Sequence, residues 1–470
     1  MSFLKFRRES AIYQRSTAGL AYVLMIVAGV MAFLVIVQWG DGLVAPEAAA
    51  GVGRANAVKL GVGQSHALVH VLLALLAVVA LGKLLNLLFS RLHQPPVIGE
   101  IVAGIALGPS LLGRVAPEAA HVVLPPEVAP YLSVVAHLGV ILYMFIVGLE
   151  LNGELLRERA HSTVAISHAS ILAPFLLGAA LALWLFPRLA TRDVPFTSFS
   201  LFLGVAMSIT AFPVLARILT DTGISKTPLG VVALSCAASD DITAWCLLAL
   251  VVGVAQSHVN GALVVIAGAV AYLVFMFLVV RPLIHHWLSR HDGPLTPGKT
   301  ALVFIAVLAS ALTTEAIGIH AIFGAFLLGA VIPHDSQLAR QLIQKLEDVV
   351  TTLLLPAFFA FTGMRTQIGL MDSTAAWLMC AVVVAVATIG KFGGTLGAAR
   401  MTGLSWRDGA ALGILMNTRG LMELVVLNIG LDLGVISPTL FAMMVVMAVV
   451  TTMATTPVLA ALRVHGASPP

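Results

Sequence analysis

Apolar residues run along most of this chain in blocks of about 20, joined by short polar stretches, and such blocks predict helices that lie in lipid. They fall near 17–39, 66–90, 97–113, 130–150, 162–187, 197–219, 228–255, 259–283, 299–317, 319–333, 349–367, 374–399, 407–433 and 437–463. The repeated length favours helices over a β-barrel, whose strands would alternate over shorter segments. Some 13–14 spans are therefore expected in an all-α integral membrane protein. With 14, both termini lie on one side. Assigning each Lys and Arg to its nearest loop puts 17 on the side of the N-terminus, 6 on the other and 3 inside spans. By the excess of basic residues in cytoplasmic loops, both termini are expected in the cytoplasm, with the chain in the inner (plasma) membrane. Three parts are expected: an extra helix and external loop over 1–65, a transmembrane domain over 66–463, and a short cytoplasmic tail over 464–470 without a soluble domain. The first apolar run exceeds the core of roughly 7–15 residues in a signal peptide, although Ala48–Ala50 imitates a cleavage site; a retained helix is the favoured reading.

Composition agrees: 59% of residues are hydrophobic and 10% charged, far from the roughly 25% charged of soluble domains. The net charge of +4 comes without an extended basic run, so no nucleic-acid partner is expected; the partner is the lipid bilayer. Cys236, Cys246 and Cys380 lie in apolar blocks without metal-ligand spacing and read as core residues. No cofactor is expected.

Against this background a few charges stand out. A charged residue at the centre of a membrane helix costs roughly 2.5–3.5 kcal/mol on insertion scales, so each needs a partner or a function. Asp240 and Asp241 sit together in VVALSCAASDDITAWCLLAL. Lys391 lies deep in its span, whereas Lys83 lies near a helix end and can snorkel to the interface. Arg419 and Glu423, four apart, can pair along one helix face. Two spans also carry backbone breakers. In SITAFPVLARIL, Pro213 removes the bond to the carbonyl of Ile209, and Ser208 and Thr210 offer oxygens nearby. In MNTRGLMEL, Asn417, Thr418 and Gly420 surround Arg419. Interrupted helices in both halves of a chain, beside ionisable residues, are how transporters present carbonyls and helix dipoles to ions. Segment order and charge position suggest an internal repeat.

Adjacent helical residues project about 100° apart, so one aspartate can line a cavity while its neighbour pairs. A carboxylate in a partly dehydrated cavity binds either a proton or a cation, and that competition is the basis of exchange. Carboxylate, hydroxyl and carbonyl oxygens suit a hard cation. A hydrolase would need two carboxylates converging on one water, which neighbours on one helix do not do, so a transporter is expected and not an enzyme. A passive monovalent cation channel is the stronger rival, but a repeated filter sequence is missing and Lys391 would oppose an open cation path. A sensor or scaffold derived from a transporter has no reason to keep these charges.

The stretches QPPVIGEIVAGIALGPSLLG, SITAFPVLARIL, SDDITAW, EAIGIHAIFGAFLLG and NTRGLMELVVLNIG, in this order, resemble the monovalent cation/proton antiporter-2 family over about 66–463. The likeness is greatest to its plant cation/proton exchanger branch and bacterial relatives. It implies an inverted-repeat sodium/proton antiporter fold, a homodimer, two crossed broken helices (197–219 and 407–433), and exchange of Na+ or K+ for H+. It also implies that Asp241 is the shared proton- and metal-ion-binding carboxylate, that Asp240 pairs with Lys391, and that Thr210 is an oxygen ligand at the crossing. Asp240 stands where many plant members have Asn and glutathione-gated potassium-efflux members have Gln. The Asp-Asp pair is similar to electrogenic sodium antiporters, the flanking motifs to potassium exchangers. Ala237 stands where some relatives place a serine, and Ser239 is the candidate to compensate. Gly99, Gly104 and Gly108 are expected to let helices pack closely, Glu150, Glu315 and His320 match motif positions, and His285 and His286 are expected in a surface loop.

Overall fold

A computed structural model describes residues 22–46, 64–92, 94–150, 160–192, 194–256, 259–290, 293 and 295–462. The basic segment 1–16, the Ala48–Ala50 stretch and the tail 464–470 lie outside the described residues. All regular structure among the described residues is helical. The long helices are α1 (Tyr22–Gly40), α2 (Gln64–Arg91), α3 (Pro96–Leu107), α4 (Ala129–Glu150) and α5 (Ala160–Leu189). Next come α6 (Phe196–Ser208), α7 (Phe212–Asp221), α8 (Pro228–Gln256), α9 (Val259–Phe275), α10 (Arg281–Arg290) and α11 (Pro297–Ile317). The chain continues through α12 (Ala321–Val331), α13 (Gln337–Val349), α14 (Leu355–Arg365), α15 (Thr374–Met401), α16 (Trp406–Met416), α17 (Leu421–Asp432) and α18 (Pro438–Ala461).

Among the described residues 12 helices are long and apolar enough to cross a membrane, or 13 when the bent pair α16 and α17 is one span. Of the expected segments, 319–333 contains only the 11-residue α12. At 1.5 Å per residue α12 covers about half of a bilayer core. The chain before it turns on Gly318 and His320, both at positive φ, and polar contacts tie the start of α12 to α11. The hydroxyl of Ser310 donates to Gly324 O at 2.5 Å, and Gly324 N donates to Thr314 Oγ1 at 3.2 Å. After α12 the chain returns to where α11 began, because Leu295 N donates to Gln341 Oε1 at 2.7 Å. His285 and His286, expected in a loop, are exposed on α10.

The helices sort into two bundles. The first contains α5, α6, α7, α8, α15, α16, α17 and α18; the second contains α2, α3, α4, α11, α12 and α14. Small residues set the approach within the second bundle. A Cβ on Gly104 would stand 2.1 Å from Phe359 O, and one on Gly148 2.3 Å from Phe326 O, so α3 meets α14 and α4 meets α12 backbone to backbone. The expectation of close packing holds for Gly104, Gly108 and Gly99. Helix α1 lies against the first bundle, with Gly29 over Leu172 and Phe33 against Phe175. Two faces of the structure are marked by contacts between helix ends. Arg407 Nε donates to Leu462 O at 2.7 Å on one, called face A; Ser110 Oγ donates to Thr366 O at 2.5 Å on the other, face B.

Candidate functional site: two crossed breaks around an aspartate pair

Helix α6 stops at Ser208, and Ile209 (ψ 139°) and Ala211 (ψ 90°) are extended before α7 begins at Phe212. Pro213 therefore lies in the first turn of α7, where its missing amide leaves no acceptor unpaired. The break comes before the proline rather than as a kink at it. Helix α16 stops at Met416, Gly420 is extended (φ 174°), and α17 starts at Leu421 with a bend of 46° across the gap. The two extended pieces cross and bond: Ala211 N donates to Thr418 O at 3.0 Å, and Thr210 Oγ1 donates to Met416 O at 3.1 Å.

The end of α6 exposes carbonyls with no partner in their own helix and a negative dipole end. Cations from elsewhere occupy them. Arg419 donates to Ala206 O at 2.8 Å and to Met207 O at 2.5 Å, and Lys391 Nζ donates to Ser208 O. Arg419 also pairs with Glu423 at 2.9 Å, and its own backbone N and O both bond to the Thr452 hydroxyl at 2.8 Å. Arg419, Glu423 and Lys391 are buried. Among the described residues, four buried atoms at this break and in the turn after it find no hydrogen-bond partner: Asn417 Oδ1 and Nδ2, Arg419 Nε and Glu423 Oε1.

Asp240 is fully buried and held on every side. Its Oδ2 accepts from Lys391 Nζ at 2.9 Å, Ser170 Oγ at 2.9 Å and Thr210 Oγ1 at 3.0 Å, and its Oδ1 accepts from Ser167 Oγ at 2.6 Å. A buried carboxylate needs such a set of donors to remain ionised in a dry site. Asp241, only 2% exposed, has a different setting. Among the described residues nothing donates a hydrogen bond to it, and it borders a chamber of about 10 Å³ with Ile209, Ala244, Leu248, Met422 and Val426. Such a space is about that of one water or one small ion. Met422 also walls a second cavity of about 260 Å³ between the two bundles toward face A, lined among others by Glu100, Tyr143, Pro213, Thr351 and Phe359.

Of the residues singled out in the sequence, Asp240, Thr210 and Lys391 meet at one point, and Pro213, Asn417, Arg419, Gly420 and Glu423 build the crossing beside it. Ser239 does not join them; it is half-buried, and its carbonyl serves Thr243. Ser167, Ser170 and Thr452 were missed. The available signal was Ser167 and Ser170 three residues apart on one face of an apolar helix. Lys83 is exposed on α2 in the half that ends at Arg91, as expected of a snorkelling residue. His137 and His320 stack at 6.2 Å within the second bundle, away from the aspartates.

The family described as sodium/hydrogen exchanger, transmembrane, matches residues 73–462. This chain belongs to that family, and with it to the monovalent cation/proton antiporters, not to the enzymes. It is 45% identical to the Na(+)/H(+) antiporter NhaS4 of Synechocystis sp. over 84% of this chain and 97% of that protein. It is 39% identical to cation/H(+) antiporter 18 of Arabidopsis thaliana over 83% of the chain, and 34% identical to K(+)/H(+) antiporter 1 of Saccharomyces cerevisiae over 80%. The chain spans about half the length of these last two, 48% and 44%. The structure of the sodium proton antiporter MjNhaP1 from Methanocaldococcus jannaschii at pH 8 superposes with a TM-score of 0.61, at 14% identity, over 85% of this chain and 97% of that one. That likeness shows a shared all-helical antiporter fold.

Proposed function

We propose that this protein exchanges Na+ or K+ for protons by alternating access, with Asp241 as the carboxylate that binds one or the other. The observation that carries this reading is the contrast between neighbours. Asp240 is saturated by three hydroxyls and an ammonium, whereas Asp241 faces an ion-sized chamber with its carboxylate uncommitted. A group already held by four donors cannot take a cation without losing them; an uncommitted one gains by binding either partner. The bare chamber wall is apolar, so a cation there completes its shell from Asp241, water and the extended carbonyl of Ile209. Thr210, one residue on, turns its hydroxyl to Asp240 and so positions the fixed carboxylate. Ser239, turned away from Asp241, is left out of the cation's shell.

Lys391 and Asp240 neutralise one another, so the charge of the site follows the load on Asp241. A lysine that stays paired throughout makes the exchange one for one; a lysine that sheds its proton as the cation binds makes it electrogenic. The two-bundle arrangement supports movement of the first bundle against the second, in a homodimer whose second bundle stays fixed. Both termini are assigned to face A, where the described chain ends at Leu462, and face A, which carries most of the basic residues, to the cytoplasmic side of the plasma membrane.

The test is proton flux in proteoliposomes under an imposed pH gradient, challenged in turn with sodium, potassium and lithium. Collapse of the gradient by a cation supports antiport and ranks the ions. Equilibration of labelled cation with the gradient intact would replace exchange by passive conduction.

A further inference from the structure

We infer that Arg365, Asn428 and Asp432 form the gate that holds face B shut while the cavity leading toward Asp241, as far as Met422, opens to face A; this rests on the alternating-access reading above. Side chains of α14 in the second bundle reach α17 in the first. Near face B, polar side chains bridge that boundary. Arg365 Nη2 pairs with Asp432 Oδ1 at 2.6 Å and Nη1 donates to Asn428 Oδ1 at 3.0 Å. Asn428 Nδ2 in turn donates to Thr362 Oγ1 at 2.9 Å and to Leu424 O of its own helix at 2.9 Å. The Arg365 guanidinium lies over Phe361, 5.1 Å from the ring centroid. So two residues of α17 are held by two of α14 through a single planar cation and an amide. Arg suits this role because its rigid fork meets two acceptors at once.

Face A is different. The polar link across the boundary among the described residues there is Gln94 Nε2 to Met453 O, at 3.3 Å, and the gap beside it holds the 260 Å³ cavity. Met422 separates that cavity from the chamber of Asp241. Met422 sits in the first turn of α17, while Asn428 and Asp432 lie farther along the same unbroken helix. A helix is stiff over this length, so a tilt that seats or unseats Met422 necessarily pulls at Arg365. The gate is also weak enough to open in each cycle. Asp432 is 45% and Arg365 21% exposed in their side chains, which lets water replace the pair, whereas the buried Asn428 amide fixes its register. Release of an ion to face B requires these contacts to part and face A to close behind Met422.

The test places a reporter cysteine at Met422 in a protein with Cys236, Cys246 and Cys380 replaced by alanine, in oriented vesicles, and measures its rate of modification by a membrane-impermeant maleimide applied to face A. With the gate intact the reporter is modified. In Arg365→Ala and in Asn428→Ala, the rate falls by up to about tenfold, the limit set by losing a hydrogen bond to a charged group; in Arg365→Lys, which keeps the charge but not the fork, it falls less. Equal rates in all variants, or no modification of the reporter with the gate intact, would overturn the assignment. A second arm covers variants that fail to fold: Thr362→Cys with Asn428→Cys, bridged by a short cleavable bifunctional thiol reagent. Exchange stops when the bridge forms and returns when it is cleaved. Turnover that continues with the bridge in place would overturn the gate. If the unmodified protein exchanges no cation at all, the antiport reading fails instead, and the maleimide rates still report on the gate.

Discussion

The two broken helices solve one backbone problem in opposite ways. The first break, 209–211, has no charge of its own, and the carbonyls of α6 that it strands are capped by Arg419 and Lys391 reaching in from other helices. The second break, 417–420, carries the arginine but sends the guanidinium away to the first, holding itself with the Thr452 hydroxyl and the contact to Glu423. The first is thus well satisfied, and the second keeps four buried polar atoms without partners. Satisfied polar groups rigidify and unsatisfied ones mark where something else must bind or move. The fixed half of the crossing is the one beside Asp240, and the incomplete half leads into α17, which carries Met422 at the wall of the Asp241 chamber.

Substitutions can break that contrast, and the largest effect is expected at the uncommitted carboxylate. Asp241→Asn should abolish cation-dependent proton flux while the purified protein keeps its thermal unfolding temperature, since no hydrogen bond to a described residue is lost; residual flux would remove Asp241 from its role. Next comes Arg419→Ala, which strands Glu423 and two carbonyls of α6 together and should destabilise the fold by about 3–5 kcal/mol in thermal unfolding. Lys391→Ala should cost less, about 2–3 kcal/mol, because Asp240 keeps three hydroxyl donors; an unchanged unfolding temperature and unchanged pH profile of exchange would show that the pair does not hold the site. Ser170→Ala removes one of those donors and should cost about 1–2 kcal/mol. Ser239→Ala, whose hydroxyl reaches neither aspartate, should leave stability and exchange within error.

Much of this was legible before any coordinates. Apolar block length marks spans because lipid demands it, and buried charge is so costly that Asp240, Asp241, Lys391, Arg419 and Glu423 announce themselves. The pairing of Asp240 with Lys391, implied by the family resemblance, is present at 2.9 Å. What stayed hidden carries no such signal. A neutral serine is tolerated in any apolar helix, so Ser167 and Ser170 looked ordinary until α5 was packed against α8. Ser239 was chosen for nearness in sequence, yet two residues along a helix turn it about 200° from Asp241. Pro213 marks a helix break from sequence alone, but a proline equally serves to start a helix, and that it does so here depends on the extended residues before it. Segment 319–333 carries the chain back toward the start of α11, as its apolar length implies, but that length does not reveal that its helix is confined to the 11 residues after Gly318 and His320.

The central claim is that proton and cation compete for one carboxylate, and the most direct test is the half-saturating cation concentration for exchange in proteoliposomes, measured across pH. Competition at Asp241 predicts that this concentration rises about tenfold for each unit of acidification below the point at which the site takes up its proton, with the maximal rate unchanged. A half-saturating concentration that stays constant while only the maximal rate changes would mean that proton and cation bind at separate places, and would contradict the account.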